Sequence, residues 1–158
     1  VSNHVSSLNE LLRDLRVTEV VTALLNAYRL GNKEYLKSAL DAIHEETTFV
    51  VSENEELSGE AMRRVSILHS LYSMCLGMIW KMEGVGEAAD YEGLITNALR
   101  DNDLTSLTLA LTNLTMRALD GDSTWIQRVR GLVEGWGEGL VKSVIMEFLN
   151  MVVIINPS

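Results

Sequence analysis

At 158 residues, with 47% hydrophobic and 22% charged residues, the chain has the composition of one globular domain with its own core. Thirteen basic residues against twenty-two acidic ones leave a formal charge of −9, which repels a phosphate backbone and argues against broad binding to DNA, RNA or anionic lipid. Cys75 is the one cysteine, which excludes an intrachain disulfide or a cysteine-based zinc site within one chain and points to a reducing, cytoplasmic setting.

The first segment, "VSNHVSSLNELLRDL", lacks the basic region and apolar run of a secretory signal. Ser7 and Glu10 form a capping-box pattern that opens a helix over Leu8 to Arg16. A second helix starts after Thr18 and runs through "EVVTALLNAYRL". Gly31-Asn32 ends it, and Asn32 caps the following "KEYLKSALDAIHEE". "TTFVVSENEELS" then reads as a short β-prone run leading into an acidic loop. Beyond it, Ala61, Val65, Leu68, Tyr72, Cys75, Ile79 and Met82 advance by threes and fours, the spacing of a core-facing helical stripe.

The second half repeats this order. "NAYRLGNKEYLKSAL" from Asn26 aligns without a gap on "NALRDNDLTSLTLAL" from Asn97, 71 residues later, and the turn "LGN" becomes "DND", also turn chemistry. "MRRVSILHSLYSMCL" from Met62 aligns on "IQRVRGLVEGWGEGL" from Ile126, at a spacing of 64. The pattern predicts an all-α bundle of six or seven helices in a single domain over 1–158. Two related three-helix units, 18–82 and 89–155, follow an N-terminal helix at 8–16. The last apolar run, Leu140 to Ile155, is sixteen residues long and carries Lys142 and Glu147. That is too short and too charged for a membrane span, which needs about 20 apolar residues, and it predicts a buried helix. Gly131, Gly135 and Gly139 recur every fourth residue, which places them along one side of a continuous helix. Their propensity cost of about 1 kcal/mol each predicts a neighbouring backbone packed close on that side, or a kink. G-x-G-x-G does not match the dinucleotide fingerprint.

Candidate chemistry is sparse. Asp41 and His44 stand three apart on one helix face, as carboxylate-histidine metal ligands do in helical bundles, but the positions 71 residues on are Thr112 and Thr115, so no paired site results. An EF-hand loop starting at Asp101 would need glycine sixth and glutamate twelfth; Ser106 and Thr112 stand there. No G-x-S-x-G or Walker pattern occurs, and nothing in the sequence calls for a cofactor or bound metal.

Arg64 and His69 have R-x4-H spacing, and "RVSILHSLY" resembles the signature of HEPN ribonucleases over about ten residues. That resemblance implies a metal-independent ribonuclease in an all-α fold, with Arg64 positioning phosphate and His69 transferring a proton at a site completed by a second chain. Val65 departs from the polar residue the family carries after the arginine. The hairpins are also reminiscent of tetratricopeptide units, without their 34-residue period.

The function expected from these features is a non-catalytic scaffold or interaction subunit, binding a protein partner or a second copy of itself. Met74, Met78, Trp80, Met82 and Trp125 are the candidate partner-binding residues. A third expectation is a small helical subunit of a nucleoprotein assembly of the CRISPR effector kind, with Arg63, Arg64, Arg128 and Arg130 as a basic stripe.

Overall fold

Apolar periodicity is realised as helix in both halves of the chain. The computed structural model describes residues 7–87 and 90–156; Val1 to Ser6 with His4, Ala88 with Ala89, and Pro157 with Ser158 lie outside the described residues. Among the described residues there are eight helices and no strand: α1 (Leu8–Arg13), α2 (Val17–Arg29), α3 (Lys33–Ser52), α4 (Gly59–Met82), α5 (Tyr91–Asp101), α6 (Leu104–Leu119), α7 (Ile126–Glu134) and α8 (Leu140–Val152). The protein is thus an all-α multi-helix bundle. No helix among the described residues is long and apolar enough to cross a membrane, and α8 buries Val144, Ile145, Phe148 and Leu149 in the core.

Local chemistry sets the ends. The Ser7 hydroxyl accepts from the Glu10 amide at 3.3 Å, so α1 opens on half of the expected capping box. It stops at Arg13, short of Arg16, because Leu15 turns left-handed at φ 51°. The two helical hairpins turn alike. Gly31 (φ 72°) and Asn102 (φ 53°) take the left-handed position, which glycine and asparagine tolerate best. Asn32 and Asp103 follow as side-chain caps, accepting from Tyr35 N at 3.1 Å and from Thr105 N at 3.0 Å.

Two expectations are corrected. The β-prone "TTFVVS" is helix, the last turns of α3. The Thr47 and Thr48 hydroxyls donate to the carbonyls of Ile43 and His44 one turn back, at 2.8 and 3.0 Å, and Val50 is buried. Tertiary burial overrides the weak strand preference. The glycine-rich segment is not one continuous helix either. Gly131 is helical, Gly135 caps the C-terminus of α7, and α8 restarts after Gly139. A methyl group built on Gly131, Gly135 or Gly139 meets nothing within 4 Å, so no backbone packs against them. Instead the chain breaks between Gly135 and Gly139, and the Lys142 ammonium secures the break by donating to the Trp136 carbonyl at 2.7 Å.

One cluster of buried residues draws on all eight helices, with α4 at its centre. The Ser66 hydroxyl meets the Ser143 hydroxyl at 2.6 Å and the Ser70 hydroxyl donates to the Val144 carbonyl at 2.8 Å, joining α4 to α8. Toward α6, His69, Ser73 and Lys81 meet Thr108, Thr112 and Asp120, each 39 residues further on. That constant offset makes α4 and α6 parallel. The close approach is at Gly77, where an added Cβ would lie 2.8 Å from both the Thr112 carbonyl oxygen and the Thr115 Cβ.

Candidate functional site

With α3, α6 and α8 packed around it, α4 keeps one strip uncovered: His69, Tyr72, Leu76 and Trp80, all half-buried. Their spacings of three and four residues put them in a line on one helix face. The strip is the floor of a groove walled by α3 and α6. One cavity of about 320 Å³ lies between His44 and Thr47 on α3 and His69 and Tyr72 on α4. A second, also about 320 Å³, continues from Tyr72 past Leu76 and Trp80, with Leu104, Thr108 and Leu109 of α6 as its other wall. No carboxylate and no lysine or arginine lines either cavity.

The histidine end of the groove has defined hydrogen bonding. Thr108 Oγ1 donates its one proton to the Leu104 carbonyl at 2.8 Å, so in its 3.0 Å contact with His69 Nε2 the threonine oxygen must accept. His69 therefore presents Nε2–H to that oxygen, and the neutral ring then carries its lone pair on Nδ1. Burial pushes the His69 pKa below the ordinary histidine value, because a buried imidazolium loses its hydration. The His69 ring stacks against Tyr72 with centroids 6.5 Å apart, and His44 tilts against the other flank of Tyr72 at 6.4 Å.

Arg64 does not join this group. Its Nη2 donates to the Arg13 carbonyl at 2.7 Å and lies 3.8 Å from Glu46, on the α1 and α3 side of α4. Five residues of helix rotate a side chain by about 140° net, so within one chain Arg64 and His69 diverge. Of the remaining stripe arginines, Arg63 lies 3.8 Å from Glu60 and Arg128 3.0 Å from Glu92, while Arg130 is half-buried on α7. Carboxylates thus offset the charge of Arg63, Arg64 and Arg128.

The candidate partner-binding residues separate into two groups. Met74 and Met78 are fully buried and Trp125 is 2% exposed, so these three belong to the core, a correction to the expectation that they face a partner. For the two methionines the cause is that α4 is enclosed on three sides. Trp125 stacks on Phe148 at 6.1 Å and donates its indole N–H to the Asp122 carbonyl at 2.8 Å. Met82 is half-buried against the core, and Trp80 sits in the groove. Tyr72 belonged to the predicted core stripe and instead lies in the groove with Leu76, while Leu104 and Leu109 carry no periodic signal that marks them as its wall.

Asp41 is exposed beside His44, and no group of three or more His, Cys, Asp or Glu among the described residues is placed to hold a metal. Cys75 is buried, its thiol donating to the Leu36 carbonyl at 3.1 Å, and burial raises its pKa to about 12. It is therefore a packed thiol with little thiolate character. Comparison with known proteins adds no relative: no family model, no curated protein and no solved structure matches the chain.

Proposed function

We propose that this chain is a non-catalytic helical interaction subunit that binds a partner protein through the groove along α4. The observation that carries this reading is compositional: on a chain of charge −9, the groove is lined by aromatic, aliphatic, hydroxyl and imidazole side chains and by no acidic one. Depletion of charge with enrichment of Tyr and Trp marks the buried centre of protein interfaces. Leu104 is 42% exposed and Leu109 37%, so apolar area remains for a partner to cover. The free, buried Cys75 thiol favours a reducing compartment such as the cytoplasm.

The test is a photo-crosslinking residue placed at Leu76 in the intact protein in its native host, with the same residue at Val153 as control. Val153 is exposed at the end of α8 and lines neither cavity. A defined partner captured from position 76 and not from 153, in a complex that Trp80→Ala weakens, supports the proposal. Equal capture from both positions, or none from either, defeats it. The ribonuclease alternative draws less support, because Arg64 is held by Arg13 and Glu46. Release of RNA fragments by the wild-type protein, abolished by His69→Ala, would reverse that preference.

A further inference from the structure

The shape of the groove and the charge around it narrow the partner. Its floor runs from His69 to Trp80, eleven residues of helix or about 16 Å, with α3 as the wall at the His69 end and α6 as the wall from Tyr72 to Trp80. That length accommodates about three turns of a docked helix, the recognition mode in which anchors at i, i+3 or i+4, and i+7 fill a hydrophobic trough. The lining offers such anchors aromatic and aliphatic surface around Tyr72, Leu76 and Trp80, with no charge to satisfy.

Beyond the lining the chain is acidic. Asp41 lies exposed one turn from His44 on the same face of α3, and Asp103 stands next to Leu104 at the start of α6. Lys37, exposed one turn beyond Asp41, and Lys33 one turn further, paired with Glu83, are the basic groups on that face. The net charge of −9 disfavours a second copy of this chain and favours a cationic partner, through both encounter rate and complementarity.

From these features we infer that the groove receives an amphipathic helix of a partner protein, its apolar side chains on the α4 floor and its flanks rich in lysine and arginine. This rests on the interaction reading above and adds the chemistry of the partner.

The test uses the full-length protein and two designed helices of about 18 residues that share one leucine face. One carries lysines on its other faces and the second carries glutamates. Binding is measured by calorimetry at low and physiological salt. The lysine helix should bind at least about tenfold more tightly than the glutamate helix and weaken as salt rises. It should also lose about tenfold in affinity to Leu76→Ser and to Leu104→Ser, substitutions that leave the charge unchanged. Val153→Ser should have no effect. Leu104 is exposed, so its variant keeps the fold if Leu76→Ser does not.

Equal binding of both helices would overturn the charge assignment while leaving the groove as the site. Lysine-helix binding indifferent to both serine variants would reveal attraction to the acidic surface alone and overturn the inference. Self-association of the protein that Leu76→Ser abolishes, with neither helix bound, would overturn it in favour of a second copy. Capture from position 76 in the crosslinking experiment tests the underlying reading separately, since it does not depend on the charge of the partner.

Discussion

Gly77 and Gly131 both sit within helices, yet a methyl group added to each meets opposite surroundings. At Gly77 it would fall 2.8 Å from the Thr112 carbonyl oxygen, backbone that cannot swing aside, whereas at Gly131 it would meet open space. Alanine gains about 1 kcal/mol of helix propensity at either site, so sterics decide the sign. Gly77→Ala should destabilise the protein by about 1–3 kcal/mol through forced separation of α4 and α6. Gly131→Ala should stabilise it by up to about 1 kcal/mol. Urea unfolding of the two variants checks both, and a stabilised Gly77→Ala would show that α4 and α6 are not in close contact there. His69 supplies a second residue-scale prediction. Its pKa is lowered by burial from the ordinary 6.5, so the unfolded chain binds a proton there more readily than the folded one. The stability this confers is intact above about pH 6.5 and is lost as pH falls below that value toward the folded pKa. A His69→Gln variant should show a flatter decline of Tm between about pH 6.5 and 5 than the wild type, and an NMR titration should place the His69 midpoint below 6.5. A midpoint at or above that value would contradict burial as the dominant influence on the ring.

The two hairpins are the elements most legible in the sequence, because a turn is governed by the few residues within it. Gly31-Asn32 and Asn102-Asp103 specify a left-handed residue followed by a side-chain cap, and the structure shows both pairs in those roles. The pairs differ in cost: glycine adopts positive φ freely, while asparagine gives up some energy there. Gly31→Ala should therefore lose about 1 kcal/mol and Asn102→Gly should gain a few tenths, in thermal unfolding. Equal responses at the two sites would mean that the turns are not equivalent. Where the sequence was less informative, distant contacts decide the outcome. Thr47 to Ser52 have strand-like side chains, but α3 continues through them because Val50 finds a place in the core. The four-residue recurrence of Gly131, Gly135 and Gly139 fits a helix face equally well on paper. Whether glycines mark close packing or a break depends on what lies opposite, and only the fold shows that it is open space. The groove was hidden for the same reason. Apolar side chains surround most of α4, and its one open strip is set by where α3, α6 and α8 settle. Met74 and Met78 look as available as Trp80 in the sequence, but they point into those neighbours.

At the scale of the whole molecule, a core fed by all eight helices carries a surface of strong negative charge. Three of the ion pairs that relieve it lie outside: Lys81 with Asp120, Arg128 with Glu92 and Lys33 with Glu83 each keep at least 30% of their side-chain surface in water. Exposed pairs of this kind contribute about 0–1 kcal/mol each and are weakened by salt. Against them stands the mutual repulsion of the remaining carboxylates, which acts over longer distances and favours the expanded chain. Raising salt from about 10 mM to about 150 mM shortens the screening length from about 30 Å to about 8 Å. That range cuts repulsion across the molecule more than it cuts contacts of a few ångströms, so sodium chloride should raise Tm. A gain of about 1 kcal/mol corresponds to about 2–4 °C for a chain of this size. The comparison must be made at a fixed pH above about 6.5, where the His69 contribution does not change with pH. A Tm that falls with salt would mean that the surface pairs outweigh the repulsion, and it would weaken the electrostatic case for a cationic partner, because the same unbalanced negative charge underlies both.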